Sequence, residues 1–424
     1  MNRPYVPPLA DKAMDELVQT QLHPQLAFFF EKLKHEMGAL RIDGVPALMS
    51  NDLFLPGKIA LGLAYVLLNT PADDAALPQH LQTYRDIADL TAPLENQSWG
   101  IYYYLLTLTK LQEAGLLERA ISPATLETLK RKLDWRSFVH EADLTLINLP
   151  TNYYGVAFSV ARLRMLLGWE RDGIATQLLD KTLEHYARYS GEFGFSDETE
   201  GEGRFDRYSI LLIAEICQRF VQTGLEVPVK LKQLLRKAAE VALNLANVSG
   251  HGFCFGRSIG PYGDSAAVEI LSVAAYLGVL SAEEQRYAYA FATRALAKYL
   301  DFWFDAGIHS VDMWGKGRRT DTYRAKHRIL GENFSLIHQF ISSNALWNGA
   351  GFQGRLPERD LQVWLDRTQK PFTLTWFAKG VHQRALAIVR SGSDVISLPL
   401  INGGSSQHDN SPYYPLPFAE DLIA

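Results

Sequence analysis

The chain has 424 residues, 47% of them hydrophobic and 21% charged, with a formal net charge of -5. This is the make-up of a folded globular protein long enough to bury a large core, and it excludes a fibrous or largely disordered chain. The acidic balance excludes a generally basic nucleic-acid binder, and Cys217 and Cys254 are too few for a disulfide framework or a zinc knuckle.

The opening stretch, MNRPYVPPLADKAMDELVQ, carries charges where a secretory leader needs an apolar run, so a cytoplasmic protein is expected. No apolar run reaches the roughly 18 residues that read as a membrane span, so no membrane partner is expected. Helical patterns follow near 11–36, 56–69, 79–90, 97–114, 123–132, 171–189, 229–247, 264–279, 281–300, 332–346 and 357–366. Val156, Val160, Leu163 and Leu167 share one helical face, as do Leu212, Ile213, Ile216 and Phe220.

Six of the helices are rich in small and apolar residues and begin near Pro56, Gln97, Asn152, Phe205, Asp264 and Glu332. A more charged helix lies between each successive pair, and a sixth, at 357–366, follows the last. Pairing one apolar with one amphipathic helix predicts an all-α body over 1–369, an (α/α)6 toroid with the apolar helices inside; an open solenoid gives a related pattern. In a toroid the inner helices run the same way, so their feeding loops gather at one mouth. Those loops are ENQSWG (95–100), NLPTNYYG (148–155), GEFGFSDETEGEGRFDRYS (191–209), SGHGFCFGRSIGPYGDS (249–265) and the stretch 305–333. Glycines, aromatics and paired charges concentrate in them, which a ligand site needs and a plain core does not. From 370 to 424 the pattern turns to strands, FTLTWFA, HQRALAIVRS and DVISLPLI. So few strands need the barrel, a further domain or a second copy of the chain to pair with, which makes a homo-oligomer through this segment one expectation.

Within the loops, Asp197, Glu198, Glu200 and Glu202 crowd four carboxylates together. Glycoside hydrolysis needs two carboxyl groups, one of them kept protonated, and like-charge crowding raises a pKa. A solvated acidic loop with Asp206 or Glu202 capping the next helix is the plainer reading. Arg204 and Arg207 have the fork geometry that clamps a substrate carboxylate, and Tyr208 follows them. In the next loop Arg257 sits near glycines, with His251 and Tyr262 as proton carriers or structural groups and Asp264 as a helix cap or acid. Asn152, Tyr153 and Tyr154 suit sugar hydroxyls or a uronate, Trp314 suits stacking on a sugar ring, and Glu332 with Asn333 forms a polar group at the last inner helix. There is no phosphate loop, dinucleotide fingerprint, HExxH or GxSxG, and the His and carboxylate spacing gives no metal set, so no cofactor is expected.

The segments FSDE (195–198), FDRYS (205–209), FGRS (255–258) and GENFSLIHQF (331–340), in this order, resemble a bacterial family of toroidal helical proteins related to β-glucuronidase-like glycoside hydrolases. More distantly, TNYYG (151–155) and GRFDRYS (203–209) resemble the paired helix starts of toroidal alginate and heparinase-type polysaccharide lyases. The first resemblance implies a toroid that hydrolyses a glycosidic bond next to a uronic acid in acidic oligo- or polysaccharides. The second implies β-elimination, with Asn152 and Arg204 or Arg207 neutralising the uronate and Tyr208 as acid and base. The expectation is therefore a hydrolase with Asp197 and Glu198 or Glu200 as catalytic carboxylates and Arg204, Arg207 and Arg257 binding the acidic sugar. A lyase using Tyr208 is the first alternative, and a non-catalytic glycan-binding or scaffold protein the second.

Overall fold

Apolar helices that bury every face must sit inside other helices, and amphipathic ones cover them. The computed structural model, which describes residues 4–48, 52–150, 152–256, 258–316 and 324–401, is built on that alternation. In chain order the long helices are α1 (His23–Glu36), α2 (Leu55–Leu68), α3 (Leu77–Thr91), α4 (Ser98–Glu113), α5 (Pro123–Lys132), α6 (Tyr153–Leu166) and α7 (Asp172–Tyr189). They continue with α8 (Arg207–Gln222), α9 (Val229–Leu245), α10 (Pro261–Tyr276), α11 (Ala282–Lys298), α12 (Ile329–Trp347) and α13 (Leu361–Thr368).

The even-numbered helices pack in sequence, α2 on α4, then α6, α8, α10 and α12, and α12 returns to α2, so the inner ring closes. The fold is an all-α toroid, as the sequence predicts, with a small antiparallel sheet after it. Closure demands near contact of backbones. A Cβ on Gly57 of α2 would stand 1.9 Å from the carbonyl oxygen of Gly100 in α4, so these helices touch through glycine.

One expectation about the outer layer is corrected. The sixth outer place belongs to α1, whose Phe29 meets Phe334 of α12 with ring centroids 5.5 Å apart. The C-terminal helix runs over 361–368 and lies outside α11 instead, with Trp364 stacked 4.7 Å from Tyr287. The amphipathic pattern could not tell these positions apart, because both helices bury one face on a neighbour. Among the described residues no helix is long and apolar enough to cross a membrane.

The sheet comprises β1 (Phe372–Ala378), β2 (Arg384–Ser391) and β3 (Asp394–Ile401) in the order β1-β2-β3, with Phe372 opposite Val389 and Ala387 opposite Leu398. Its Phe377 contacts Phe195 and Phe205 of the acidic loop at 5.0 and 6.0 Å between centroids. Arg390 donates to the carbonyl of Asn244 at 2.8 Å. The barrel thus supplies the packing partner that three strands need, on the side of the feeding loops.

Candidate functional site

The beginnings of the inner helices surround a cavity of about 260 Å³. Its wall is drawn from all six: Phe54 and Lys58 at α2, Trp99 and Tyr103 of α4, Asn152 and Tyr153 at α6, Arg207, Tyr208, Leu211 and Glu215 of α8, Tyr262 of α10, and Arg328, Ser335 and Gln339 at α12. Ser258 and Arg324 complete it from the feeding loops.

Local chemistry sets each position. At α8, Asp206 is the cap: its Oδ1 accepts from the Tyr208 backbone N–H at 2.7 Å, and Ser209 answers the Asp206 N–H at 3.3 Å. This capping box fixes the first turn, so Arg207 and Tyr208 are presented from a rigid start. The loop carrying FGRS then packs on that cap. Gly256 has φ +80°, and a Cβ there would come within 2.5 Å of the Asp206 Cβ, so glycine is required twice over. That contact brings Ser258, in the left-handed region at φ 52°, into the same cavity as Tyr208 and Asn152. Arg257 lies outside the described residues.

One wall of the cavity is a buried ion network. Lys58 Nζ meets Asp52 at 2.7 Å, Arg328 meets Asp52 at 3.0 Å and Glu332 at 3.4 Å, and Arg324 meets Glu332 at 2.8 Å. The Tyr262 hydroxyl donates to Glu332, and the Arg324 guanidinium lies 3.7 Å over the Tyr262 ring. Burial works against charge on Glu332, but Arg324, Lys58, Arg328 and the Tyr262 hydrogen bond outweigh it and hold the carboxyl down at about 2. Asp52 is held below its usual value in the same way, burial being overcome by Lys58 and Arg328. With Asp52 and Glu332 set behind the wall, the faces turned to the cavity are Lys58, Arg324, Arg328 and Arg207, a surface suited to an anion. Arg207 is buried, with its guanidinium 4.1 Å over the Tyr208 ring. Opposite, Asn152 is 8% exposed, and its side-chain oxygen is buried with no hydrogen-bond partner among the described residues. It occupies the cap position of α6 without capping it, which leaves the amide for the cavity.

Glu215 is the carboxylate in the wall. Behind it, on α10, Glu269 is pushed up to about 8 by burial and then by the Glu215 charge, against the opposing pull of Arg207 and Arg219. Deeper still, Tyr65 bonds His338 at 2.8 Å, and Arg219 donates to the Tyr102 hydroxyl at 3.0 Å, which in turn bonds Gln222 at 2.5 Å. Burial, then the Lys110 and Arg219 charges, hold the His338 imidazole neutral, down at about 3.

Of the residues singled out from sequence, Asn152, Tyr153, Arg207, Tyr208 and Tyr262 meet in the cavity, and Glu332 stands directly behind it. The others are placed elsewhere. The carboxylate of Asp197 accepts from the backbone N–H groups of Thr199, Gly203 and Arg204 and from the Thr199 hydroxyl, at 2.7 to 3.0 Å, and so organises its own loop. Glu198 is buried with its backbone bonded to the Arg204 carbonyl, and Glu200 is exposed near Tyr154 and His185. Tyr154 packs on His185, ring centroids 4.7 Å apart, between α6 and α7. Arg204 serves the acidic loop through its backbone. Asp264 is not a cap, since α10 begins a turn earlier at Pro261. It accepts from Gly252 N–H at 2.8 Å and Trp303 Nε1 at 2.9 Å and pairs with Lys298 at 3.1 Å, and His251 bonds the same lysine. Trp314 donates to the Arg324 carbonyl and so braces that loop. Asp197 also borders a second, more open cleft of about 400 Å³ between the acidic loop and the sheet, beside Arg188, Lys379 and His382.

Lys58, Glu215, Glu269, Arg324 and Arg328 were not singled out from sequence. A signal existed for each: Lys58 is the one charge in its helix, Glu215 and Glu269 each interrupt an apolar run (ILLIAEI and AAVEIL), and Arg324, Arg328 and Glu332 repeat at i, i+4, i+8. Among the described residues no three His, Cys, Asp or Glu side chains stand together in a way that holds a metal ion.

No protein-family model and no curated protein matches the sequence. Among solved structures, a family 88 glycosyl hydrolase from Bacteroides vulgatus aligns over 81% of this chain and 99% of its own at 9% identity, with a TM-score of 0.46. A polysaccharide lyase aligns over 80% and 97% at 11% identity, TM-score 0.45. A type II terpene cyclase from Scytonema, bound to geranylgeranyl dihydroxybenzoate, aligns over 80% and 98% at 10% identity, TM-score 0.43. All are helical toroid enzymes, and likeness of this order carries no residue role from them to this chain.

Proposed function

We propose that the cavity binds a uronate within an acidic glycan and cleaves the adjoining glycosidic bond by β-elimination. One observation carries this reading: Lys58, Arg207, Arg324 and Arg328 line the same cavity as Asn152 and Tyr208, while Asp197, Glu198 and Glu200 are not among its lining residues. Guanidinium groups hold the uronate carboxylate in bidentate fashion, and the Asn152 amide adds a neutral donor. Withdrawing charge from the carboxylate acidifies the hydrogen on the neighbouring ring carbon. Tyr208, as phenolate, takes that proton, the electron pair forms the carbon–carbon double bond, the bond to the glycosidic oxygen breaks, and Tyr208 returns the proton to the departing oxygen.

Hydrolysis is the second reading, favoured by Glu215 in the wall and by Glu269 behind it, whose raised pKa suits a general acid. The convergence of charged and phenolic groups on one concave site argues against a scaffold that uses its loops separately. Product analysis on uronate-bearing oligosaccharides separates the two chemistries. Elimination generates an unsaturated uronate that absorbs in the ultraviolet, and Tyr208→Phe removes that signal by about 10²-fold or more with the fold intact. Sugar release without the absorbance overturns elimination.

A further inference from the structure

Resting on the uronate reading of the cavity, we propose that its floor is a second recognition subsite, where Glu215, positioned by Glu269, accepts the vicinal hydroxyls of a neutral sugar joined to that uronate. The unit read by the protein is then a disaccharide that enters end first, carboxylate at the rim and hydroxyls at the floor.

Helix geometry separates the two levels. Tyr208, Leu211 and Glu215 line the cavity from one face of α8, and seven residues from Tyr208 to Glu215 correspond to about 10 Å of rise. This depth suits two linked sugar rings rather than one. The chemistry changes along it. All four cations come from the first turn of an inner helix or the loop before it: Arg207 opens α8, Lys58 lies in the first turn of α2, Arg328 immediately precedes α12, and Arg324 lies in the loop leading to it. At the lower level stand Glu215, Tyr103 and Gln339, whose Oε1 is taken by the Ser265 hydroxyl at 2.7 Å, leaving its amide N–H groups as donors. Beside them stand the Tyr65–His338 and Arg219–Tyr102–Gln222 bonds, with the His338 ring 5.7 Å from that of Tyr103.

Glu269 shares the inward face of α10 with Tyr262 and Ser265, at positions i, i+3 and i+7, and its Oε1 is buried with no hydrogen-bond partner among the described residues. On the helices packed against α10, the charged groups turned toward it are Glu215, Arg207 and Arg219 of α8, Glu332 of α12 at Tyr262, and Lys298 of α11 at Asp264. The first three reach Glu269: its burial and then the Glu215 charge, against the pull of Arg207 and Arg219, push the carboxyl up to about 8, so that it is protonated at neutral pH. A protonated Glu269 places no second repelling charge at the back of Glu215. A carboxylate accepting two adjacent hydroxyls is a favourable charge-assisted arrangement, and it selects a neutral diol over a second acidic sugar.

The test is calorimetric titration of the full chain with two probes, glucuronate alone and a disaccharide of glucuronate linked to a neutral hexose. Wild type is expected to bind the disaccharide about 10-fold more tightly or better, and Glu215→Gln to remove that advantage while changing glucuronate affinity by less than about 2-fold. Gln339→Ala, at the same level of the cavity, should act in the same direction. Glu269→Gln should keep disaccharide binding at pH 6 and abolish the weakening that wild type shows above about pH 8. Equal affinity of wild type for the two probes, or equal losses for both in Glu215→Gln, overturns the floor subsite while leaving the uronate reading intact. Failure of wild type to bind either probe overturns both.

Discussion

The sharpest physical prediction concerns Glu269 rather than turnover. Its carboxyl moves from an ordinary value of 4.5 to about 8, first because burial disfavours the anion and then because Glu215 repels it. A folded-state pKa above the unfolded one means the native protein holds a proton that the unfolded chain has already released. Stability is therefore fully present below the unfolded value and is lost as pH rises toward about 8. Each pH unit inside that window is worth about 1.4 kcal/mol, so between pH 5 and pH 7.5 Glu269 alone removes about 3 kcal/mol. Glu269→Gln keeps the shape, carries no proton to lose, and should match wild type near pH 5 while exceeding it by about that amount at pH 7.5. Urea unfolding of both proteins across this range, compared as a difference, cancels every group they share. Parallel curves would refute the account, since they would mean that Glu269 ionises in the fold as easily as in the unfolded chain.

Other outcomes follow from the same geometry. Asp197→Ala strips four hydrogen bonds from the acidic loop and should cost about 2–4 kcal/mol in thermal or urea unfolding, with the acidic loop the first region to lose amide-exchange protection. Gly256→Ala places a methyl against the Asp206 Cβ at a positive φ, so the α8 cap should loosen, with both stability and activity falling. Arg324→Ala removes one of the anion-binding forks and leaves Glu332 with Arg328 and Lys58, so KM for a uronate substrate should rise about 10-fold or more. Glu332→Gln deletes a carboxyl held at about 2, whose contribution to stability is present above pH 4.5 and fades below it. The variant should therefore be weakest relative to wild type at neutral pH and approach it in acid.

The architecture was legible because helix period and helix composition are local signals that repeat. Small and apolar residues on every face of 261–276 mark an inner helix regardless of what it packs on, and the common polarity of the inner helices then gathers the loops at one mouth. Asn152, Arg207, Tyr208 and Tyr262 were within reach because they sit at those helix starts. The acidic loop misled for a physical reason. Carboxylates dense in sequence look catalytic, yet Asp197 uses its oxygens to tie the turn that glycines at 201 and 203 make possible. Conversely, the ion wall is assembled from residues as far apart as Lys58 and Arg324, and no short motif encodes that meeting. Charges that interrupt apolar runs were the available clue, since Lys58, buried, and Glu269, half-buried, stand where apolar residues would pack more favourably.

The most direct measurement is a structure of the Tyr208→Phe variant soaked with a uronate-bearing oligosaccharide. The account predicts the uronate carboxylate within hydrogen-bond reach of Arg207, Arg324 or Arg328, and the ring hydrogen beside that carboxylate facing residue 208. A sugar bound instead in the cleft beside Lys379 and His382, with the helical bowl empty, would contradict it.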